Sequence, residues 1–513
     1  MTAKRTFSTF ILSTFFFTLI FYQKSIGINL LLFEAGLLGT LWWMKEYDLK
    51  QKNVRFVFSA LVVSAVFTVI HHTNLSIQVN LLCFFLFIGA ITEPNLKSLL
   101  NAFLTAISSV FQVFPRLKSR LSTSRVNQKK LGFNLRRNLR LIIPLLIICG
   151  FAIIYGIANP KFGELVTSFI DFIGNGFTHF FEVINIQLIG IILLGAGISL
   201  FVLIRTRNER ISEKDGSASD VLSRVRRKVS MHFSPIGLTN EYRAAVFLFL
   251  SLNGMLLVLN ALDVNYVWFN FKWEGQYLKD FVHNGVYVLI FALLVSILLV
   301  LYFFRNNLNF YRKGKWLKRL SYVWLAQNAV LVISVGIRNW YYIDYYALAD
   351  RRIAIFFFLV LVAFALVTVY LKVKQTRSKF YFIRRNVQAL VVVLVIGTFF
   401  NWDRVIARYN FKHANRSFIH LNYLVGLSDA SLPYLDQPLE KLIGANNYQK
   451  KSFFKIDLSS SSYSSYDRLY MTPEDYIASI EKRKKAFIRS WEEKSWLEWN
   501  LAEALAYHEL KSL

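Results

Sequence analysis

Cysteine is almost missing from this chain. The two present among 513 residues, Cys83 and Cys149, both lie inside apolar runs. A disulfide framework, a CxxC redox pair and a thiolate metal site are therefore excluded as organising themes. The short motifs that name a chemistry are missing as well. Lys313-Gly314-Lys315 lacks the upstream glycine of a phosphate-binding loop, and His508-Glu509 is followed by Leu-Lys-Ser rather than the second histidine of a zinc helix. Gly426-Leu427-Ser428-Asp429-Ala430 lacks the last glycine of a nucleophile elbow. Adjacent residues on a helix point about 100° apart, so His71-His72 makes a poor metal or haem pair. No cofactor, metal or catalytic residue is expected, and the chain leans away from being an enzyme. Acidic residues are scarce too, at 31 against 60 Lys and Arg, for a formal charge of +29. The basic residues sit in short loops beside apolar runs, so anionic lipid headgroups rather than nucleic acid are the expected partner.

What the chain has in excess is apolar surface. It is 55% hydrophobic and 16% aromatic, with 48 phenylalanines and mean hydropathy +0.40, too apolar for a soluble multidomain protein. A membrane span needs about 20 apolar residues, or about 17 at the short end. Eleven runs qualify or nearly do: Thr6–Tyr22, Ile28–Met44, Phe56–His72, Ser76–Thr92, Leu141–Ala158, Ile184–Ile204, Arg243–Leu262, Asn284–Phe304, Leu320–Ile337, Arg352–Leu371 and Arg385–Phe400. Loops between them alternate in basic content, with 35 Lys and Arg in the segments assigned inside and 7 in those assigned outside. That asymmetry predicts an all-α, polytopic transmembrane bundle of about eleven spans in a bacterial inner membrane. Its N-terminus lies inside and its C-terminus outside.

The expected divisions follow the loops. Residues 1–114 form a four-span unit closed by an amphipathic helix, Asn95–Phe114, lying on the inner leaflet. Residues 115–140 are a basic cytoplasmic loop, 141–204 a two-span unit, and 205–242 a charged cytoplasmic loop containing Arg224-Val225-Arg226-Arg227-Lys228. Residues 243–435 form a five-span core, and 436–513 a small helical extracytoplasmic tail. Within the tail Ser459–Ser465 is a linker, and Thr472-Pro473-Glu474-Asp475 has the cap, proline and acids of a helix start.

Candidate functional residues collect at the outer boundary. Asn253, Asn260 and Asp263 share one helical face by their spacing, as do Gln327, Ser334 and Arg338. His283 and Asn284 open the eighth run, Asn339 follows Arg338, Asp350-Arg351-Arg352 enter the tenth run, and Asp403, Arg408 and Asn410 follow the eleventh. Polar span ends that pair to lock loops are one reading. An outward-facing hydrated pocket is the other, and it predicts that Asp263, His283, Arg338, Asp403 and Arg408 converge. Glu34, Asn253 and Gln327 are the candidate polar positions within the membrane.

Four stretches carry a family resemblance: Val282–Ile290, Arg338–Ile343, Asn401–Asn410 and Leu421–Leu435. Arg338-Asn339-Trp340-Tyr341-Tyr342-Ile343 and the exit Asn401-Trp402-Asp403-Arg404-Val405-Ile406-Ala407-Arg408-Tyr409-Asn410 are specific rather than generic span ends. Over roughly Arg243 to Leu435 the chain resembles a bacterial integral membrane family, domain of unknown function 4173, related to domain of unknown function 4153. The resemblance implies a location and a topology, and no activity. The Tyr-Gly-Leu of that family is Tyr346-Ala347-Leu348 here, which puts a turn at that glycine in question. An envelope binding or scaffold protein, with an envelope protein as partner, is the leading expectation. A transporter of a small or lipid-linked solute, and an outward-facing transferase or hydrolase, stand as alternatives.

Overall fold

Backbone amides and carbonyls cannot remain unpaired in hydrocarbon, so a chain with this hydropathy is driven to helix. Among the described residues all regular structure is helical, apart from an isolated bridge between Val221 and Arg377. The computed structural model describes residues 3–123, 161–162, 164–165, 168, 186–224, 235–271, 276–305, 307–453 and 471–512. The expected fifth span, most of the basic loop 115–140, the cluster after Arg224 and the serine linker lie outside the described residues.

The helices are α1 (Ala3–Phe21), α2 (Ile28–Trp43), α3 (Lys52–His71), α4 (Asn74–Thr92), α5 (Leu99–Thr123), α6 (Ile186–Leu203) and α7 (Glu209–Ser217). They continue with α8 (Pro235–Asp263), α9 (Gln276–Phe303), α10 (Lys315–Tyr346), α11 (Asp350–Lys374) and α12 (Lys379–Gly397). Six more follow among the described residues: α13 (Trp402–Lys412), α14 (Leu421–Val425), α15 (Leu432–Leu435), α16 (Leu439–Phe453), α17 (Pro473–Glu493) and α18 (Leu501–Ser512). Ten of the eleven expected runs thus appear as helices. Among the described residues seven helices are long and apolar enough to cross a membrane: α3, α4, α8 with its extension, α9, α10, α11 and α12. The apolar parts of α1, α2 and α6 are shorter.

Exposure explains what surrounds these helices. On α8, Phe247, Leu250, Met255, Leu257 and Val258 all face outward, each 60% exposed or more. A soluble protein rarely shows contiguous apolar surface of that extent, and lipid covers it here. This is a membrane protein.

The chain divides into two units. One comprises Met1–Ser25 with Ser108–Thr206. There α1 packs on α6, Ser199 Oγ donates to Ser13 Oγ at 3.0 Å, and the Thr206 amide donates to Ser109 Oγ at 3.0 Å.

The other unit comprises Ile26–Ile107 with Arg207–Leu513. Parallel packing of α8 and α10 sets its centre. Asn253 Nδ2 donates to the Leu320 carbonyl at 3.2 Å, and Asn260 Nδ2 donates to the Gln327 carbonyl at 3.1 Å. A constant sequence offset between two cross-helix bonds requires the helices to run in the same direction, as the seventh and ninth spans of an alternating bundle must. Loops of like charge class meet one another. At the basic end, Asp215 on α7 accepts the amides of Lys97 (2.5 Å) and Ser98 (3.2 Å) and thereby caps α5 from outside its own helix. The Ser378 amide, next to the N-terminus of α12, donates to the Asp220 carbonyl at 2.9 Å. Loop 205–224 is therefore docked where it is described.

At the opposite end, residues on both sides of position 435 share one hydrophobic core. Ile406, Phe411, Leu432 and Leu435 pack in it with Tyr476, Ile480, Phe487 and Leu510, and Ile353 of α11 joins them. Helix α17 starts at Pro473 with the Thr472 hydroxyl accepting the Asp475 amide at 3.1 Å. The segment before α18 lies on the start of α2: the Ile28 amide donates to the Trp499 carbonyl at 3.0 Å. A methyl group at Gly27 would come within 2.4 Å of Glu498 backbone atoms, so only glycine permits this approach.

Candidate functional site

The polar residues of α8 and α10 form a ladder that rises towards the end bearing the C-terminal helices. Its lowest rung is Asn253, which donates to the Leu320 carbonyl at 3.2 Å and accepts Gln327 Nε2 at 2.8 Å, and the next is the Asn260–Gln327 carbonyl bond. At the top Arg338 pairs with Asp263 at 2.5 Å, both side chains 6% exposed. Ser334 Oγ donates to the other oxygen of Asp263 at 2.6 Å. Directly after Asp263 the helix loosens into a π-helical turn, Val264–Phe269, which brings Trp268 Nε1 to Ser334 Oγ at 3.2 Å. Every rung satisfies a polar group by crossing between the two helices, so the ladder fixes their register.

Beyond Arg338 the chain turns sharply from α10 into α11. Ala347 carries the turn at φ 63° and ψ 176°, a conformation normally reserved for glycine. The turn questioned at Tyr346-Ala347-Leu348 is thus present, and an alanine bears it. Its surroundings hold it there. Asn410 accepts the Leu348 amide at 2.7 Å and donates to the Leu348 carbonyl at 3.0 Å, pairing with the backbone as a strand would. Arg352 donates to the carbonyls of Tyr346 and Ala347, its guanidinium lying 4.2 Å from the Tyr342 ring centre. Asn339 Nδ2 donates to the Arg352 carbonyl at 2.9 Å.

This turn walls a cavity of about 480 Å³. Its polar and aromatic lining includes Asn339, Tyr342, Arg351, Arg352, His420 and Tyr423, with Asp350 at the edge. Tyr423 Oη donates to Asp350 Oδ2 at 2.9 Å. Burial pushes the Tyr423 phenol above the usual tyrosine range, so it remains a donor at neutral pH. A second cavity, about 490 Å³, lies along the other flank of α11. Its walls are apolar, among them Ile353, Phe357, Leu361, Val393 and Leu394, and its rim carries Asp350 and Asp403. Asp350 is common to both cavities.

The expected site residues separate into groups. Asp263 and Arg338 meet, as the pocket reading required. Asn339 and Asn410 line the polar cavity, while Asn253, Asn260 and Gln327 form the ladder below. Asp403 takes the Ser428 amide at 3.0 Å and borders the apolar cavity, away from the Asp263–Arg338 pair. Arg408 is exposed. The side chains of His283 and Asn284 lie outside the described residues; the start of α9 still approaches the pair, since a methyl group at Gly285 would be 3.7 Å from an Arg338 nitrogen. Glu34 belongs elsewhere, buried with Asn80 Nδ2 donating to it at 3.2 Å. His71 contacts the Phe399 carbonyl at 2.8 Å and His72 contacts Glu503 at 3.1 Å, so each is occupied in holding segments together. Asp350, Arg351 and Arg352 stand in the sequence among the outer-boundary residues but outside the set expected to converge, and His420 and Tyr423 carry no signal of their own.

The C-terminal helices close this end through ion pairs. Arg404 donates to both oxygens of Glu509 at 2.8 Å, and Lys484 pairs with Asp436 at 2.6 Å. Burial by itself would raise Glu503, but hydrogen bonds from His72 and Lys494 outweigh it and hold the carboxyl at about 2.

A family model described as "Domain of unknown function (DUF4153)" matches residues 6–437. That is the relative of the family whose motifs the sequence resembles, and the match extends far upstream of Arg243. No curated protein and no solved structure matches the chain.

Proposed function

The chain belongs to the DUF4153 family, whose description assigns no activity, and we propose its function from the site: an envelope binding protein of the bacterial inner membrane. It is oriented N-terminus inside and C-terminus outside, and it holds an amphipathic ligand at its outer boundary. The finer family label, domain of unknown function 4173, and the span count of about eleven are part of this reading. Basic loops supply the orientation argument, and anionic headgroups are their partners. One observation carries the binding role: two largely apolar cavities of nearly equal volume share Asp350 in their walls, one also lined by Asn339, Tyr342, Arg351 and Tyr423 and the other by Phe357 and Leu361. A ligand spanning both would place a headgroup among Tyr342, Arg351 and Tyr423 and a hydrocarbon chain beside Phe357 and Leu361. Such a pairing of concave surfaces is what an amphipath requires.

The test is lipid retention. Ala354 borders the apolar cavity and is exposed, so an indole there enters open space and fills the groove. Wild-type protein purified from its own membrane should carry a stoichiometric amphipath by native mass spectrometry, and A354W should lose it while keeping its thermal unfolding profile. Equal retention by both proteins would overturn the reading.

A second reading, a transferase or hydrolase acting on a lipid-linked substrate, draws on Asp350 and Asp403 bordering one groove. Two carboxylates form a general acid–base set when one of them holds a proton. Turnover of the retained lipid by wild type and its loss in D403N would favour this reading over simple binding.

A further inference from the structure

Resting on that reading of the paired cavities, we infer that the ligand is an acylated sugar bearing an anionic group at the end away from its chains. The order of chemistry along the site carries the inference. Hydrocarbon fits the groove beside Phe357 and Leu361, where each buried methylene is favourable. The groove is bordered by the carboxylates of Asp350 and Asp403, which accept hydrogen bonds and offer none when ionised, together with Thr73 and Asn74, which can do both. Hydroxyl or amide groups, donors and acceptors at once, match this set in the part of the ligand next to its chains. A glycerophospholipid or a polyprenyl phosphate brings a phosphate at that point, and two carboxylates repel it.

Past Asp350 the surroundings change sign and shape. Tyr287, Tyr342, Tyr346 and Tyr423 line the polar cavity. Aromatic faces with a few fixed polar groups suit the C–H face and hydroxyls of a sugar ring, and the volume suits a ring system better than a single ammonium or glycerol group. Arg352 is engaged with the turn carbonyls and Tyr342. Arg351 is exposed to the cavity and forms no ion pair among the described residues. A guanidinium in that position is a fork for a phosphate or a carboxylate at the far end of the headgroup.

Three probes of equal chain length test this: a diacylated glucosamine phosphate, its dephosphorylated counterpart and a phosphatidylglycerol. They are titrated onto the full chain in a neutral detergent and read by native mass spectrometry. The phosphorylated sugar should bind best, about ten-fold or more above the neutral sugar, the range of a charge-assisted hydrogen bond. R351Q should abolish that preference, and R351K, which keeps the charge without the fork, should keep part of it. Phosphatidylglycerol binding as well as the phosphorylated sugar, or an intact preference in R351Q, would overturn the inference and leave the paired-cavity reading standing. Unchanged binding of all three probes by A354W would overturn that reading itself.

Discussion

Removing Asp263 should be the most damaging single change at the head of the ladder. Its carboxylate takes the Arg338 guanidinium at 2.5 Å and the Ser334 hydroxyl at 2.6 Å, and that hydroxyl in turn takes the Trp268 indole at 3.2 Å. D263L leaves a guanidinium that is 6% exposed without its carboxylate, between helices that meet lipid on their other faces. Breaking a buried ion pair by removing one partner costs about 3–5 kcal/mol, because the remaining charge stays desolvated. R338M should cost a similar amount by leaving Asp263 with Ser334 alone. The double variant D263L/R338M removes both charges and fills the space with apolar atoms, which is often close to neutral. The cycle should therefore return a coupling of about 3 kcal/mol, far beyond the ~0.3–0.5 kcal/mol scatter of independent sites. Mixed-micelle unfolding of the four proteins measures it, with thermal midpoints in matched nanodiscs as a second reading. Two single variants that each lose less than about 1 kcal/mol and add in the double would refute the argument, since the pair would then be solvated.

Three further outcomes follow from the same structure. A347G should raise the thermal midpoint by an amount equivalent to about 1 kcal/mol, because relief of a left-handed alanine exceeds the added freedom of glycine in the unfolded chain; a lower midpoint would show that the turn is unstrained. G89A should destabilise the packing of α4 on α5 by about 1–3 kcal/mol in mixed-micelle unfolding, since its methyl would fall 1.9 Å from the Ala102 carbonyl oxygen, a backbone atom that cannot rotate away. Glu503 is held at about 2 against an ordinary 4.5, so the stability it contributes is complete above about pH 4.5 and is lost as pH falls towards 2; thermal scans of wild type and E503Q should therefore differ at pH 7 and converge through that window, and a constant gap would remove the linkage.

Parts of the site were legible in the chain because they obey local rules. Asn253, Asn260 and Asp263 lie seven and three residues apart, and helical periodicity alone puts them on one face. Gln327, Ser334 and Arg338 do likewise, so the ladder was readable as two matching stripes before their contact was known. The Asp263–Arg338 pair follows from depth, since two opposite charges at one level of a bundle gain by meeting. Convergence with Asp403 was a different kind of expectation. It assumed that all span ends at one boundary share a centre, whereas α11 stands between the polar cavity and the groove that Asp403 borders. Equal depth does not specify position around a bundle.

Membrane class, the helical segments and the charge asymmetry between the two sets of loops were determined by the sequence alone. Hydrocarbon and interface act on each segment according to its own composition, so a sum over neighbours in the chain suffices. The two cavities, the alanine turn and the closing of one end by the C-terminal helices were decided only by tertiary structure. Asp350 meets Tyr423 across 73 residues, and Ile28 meets Trp499 across most of the chain. Which distant surfaces fit one another depends on shape summed over several helices, and no local pattern of residues records that sum.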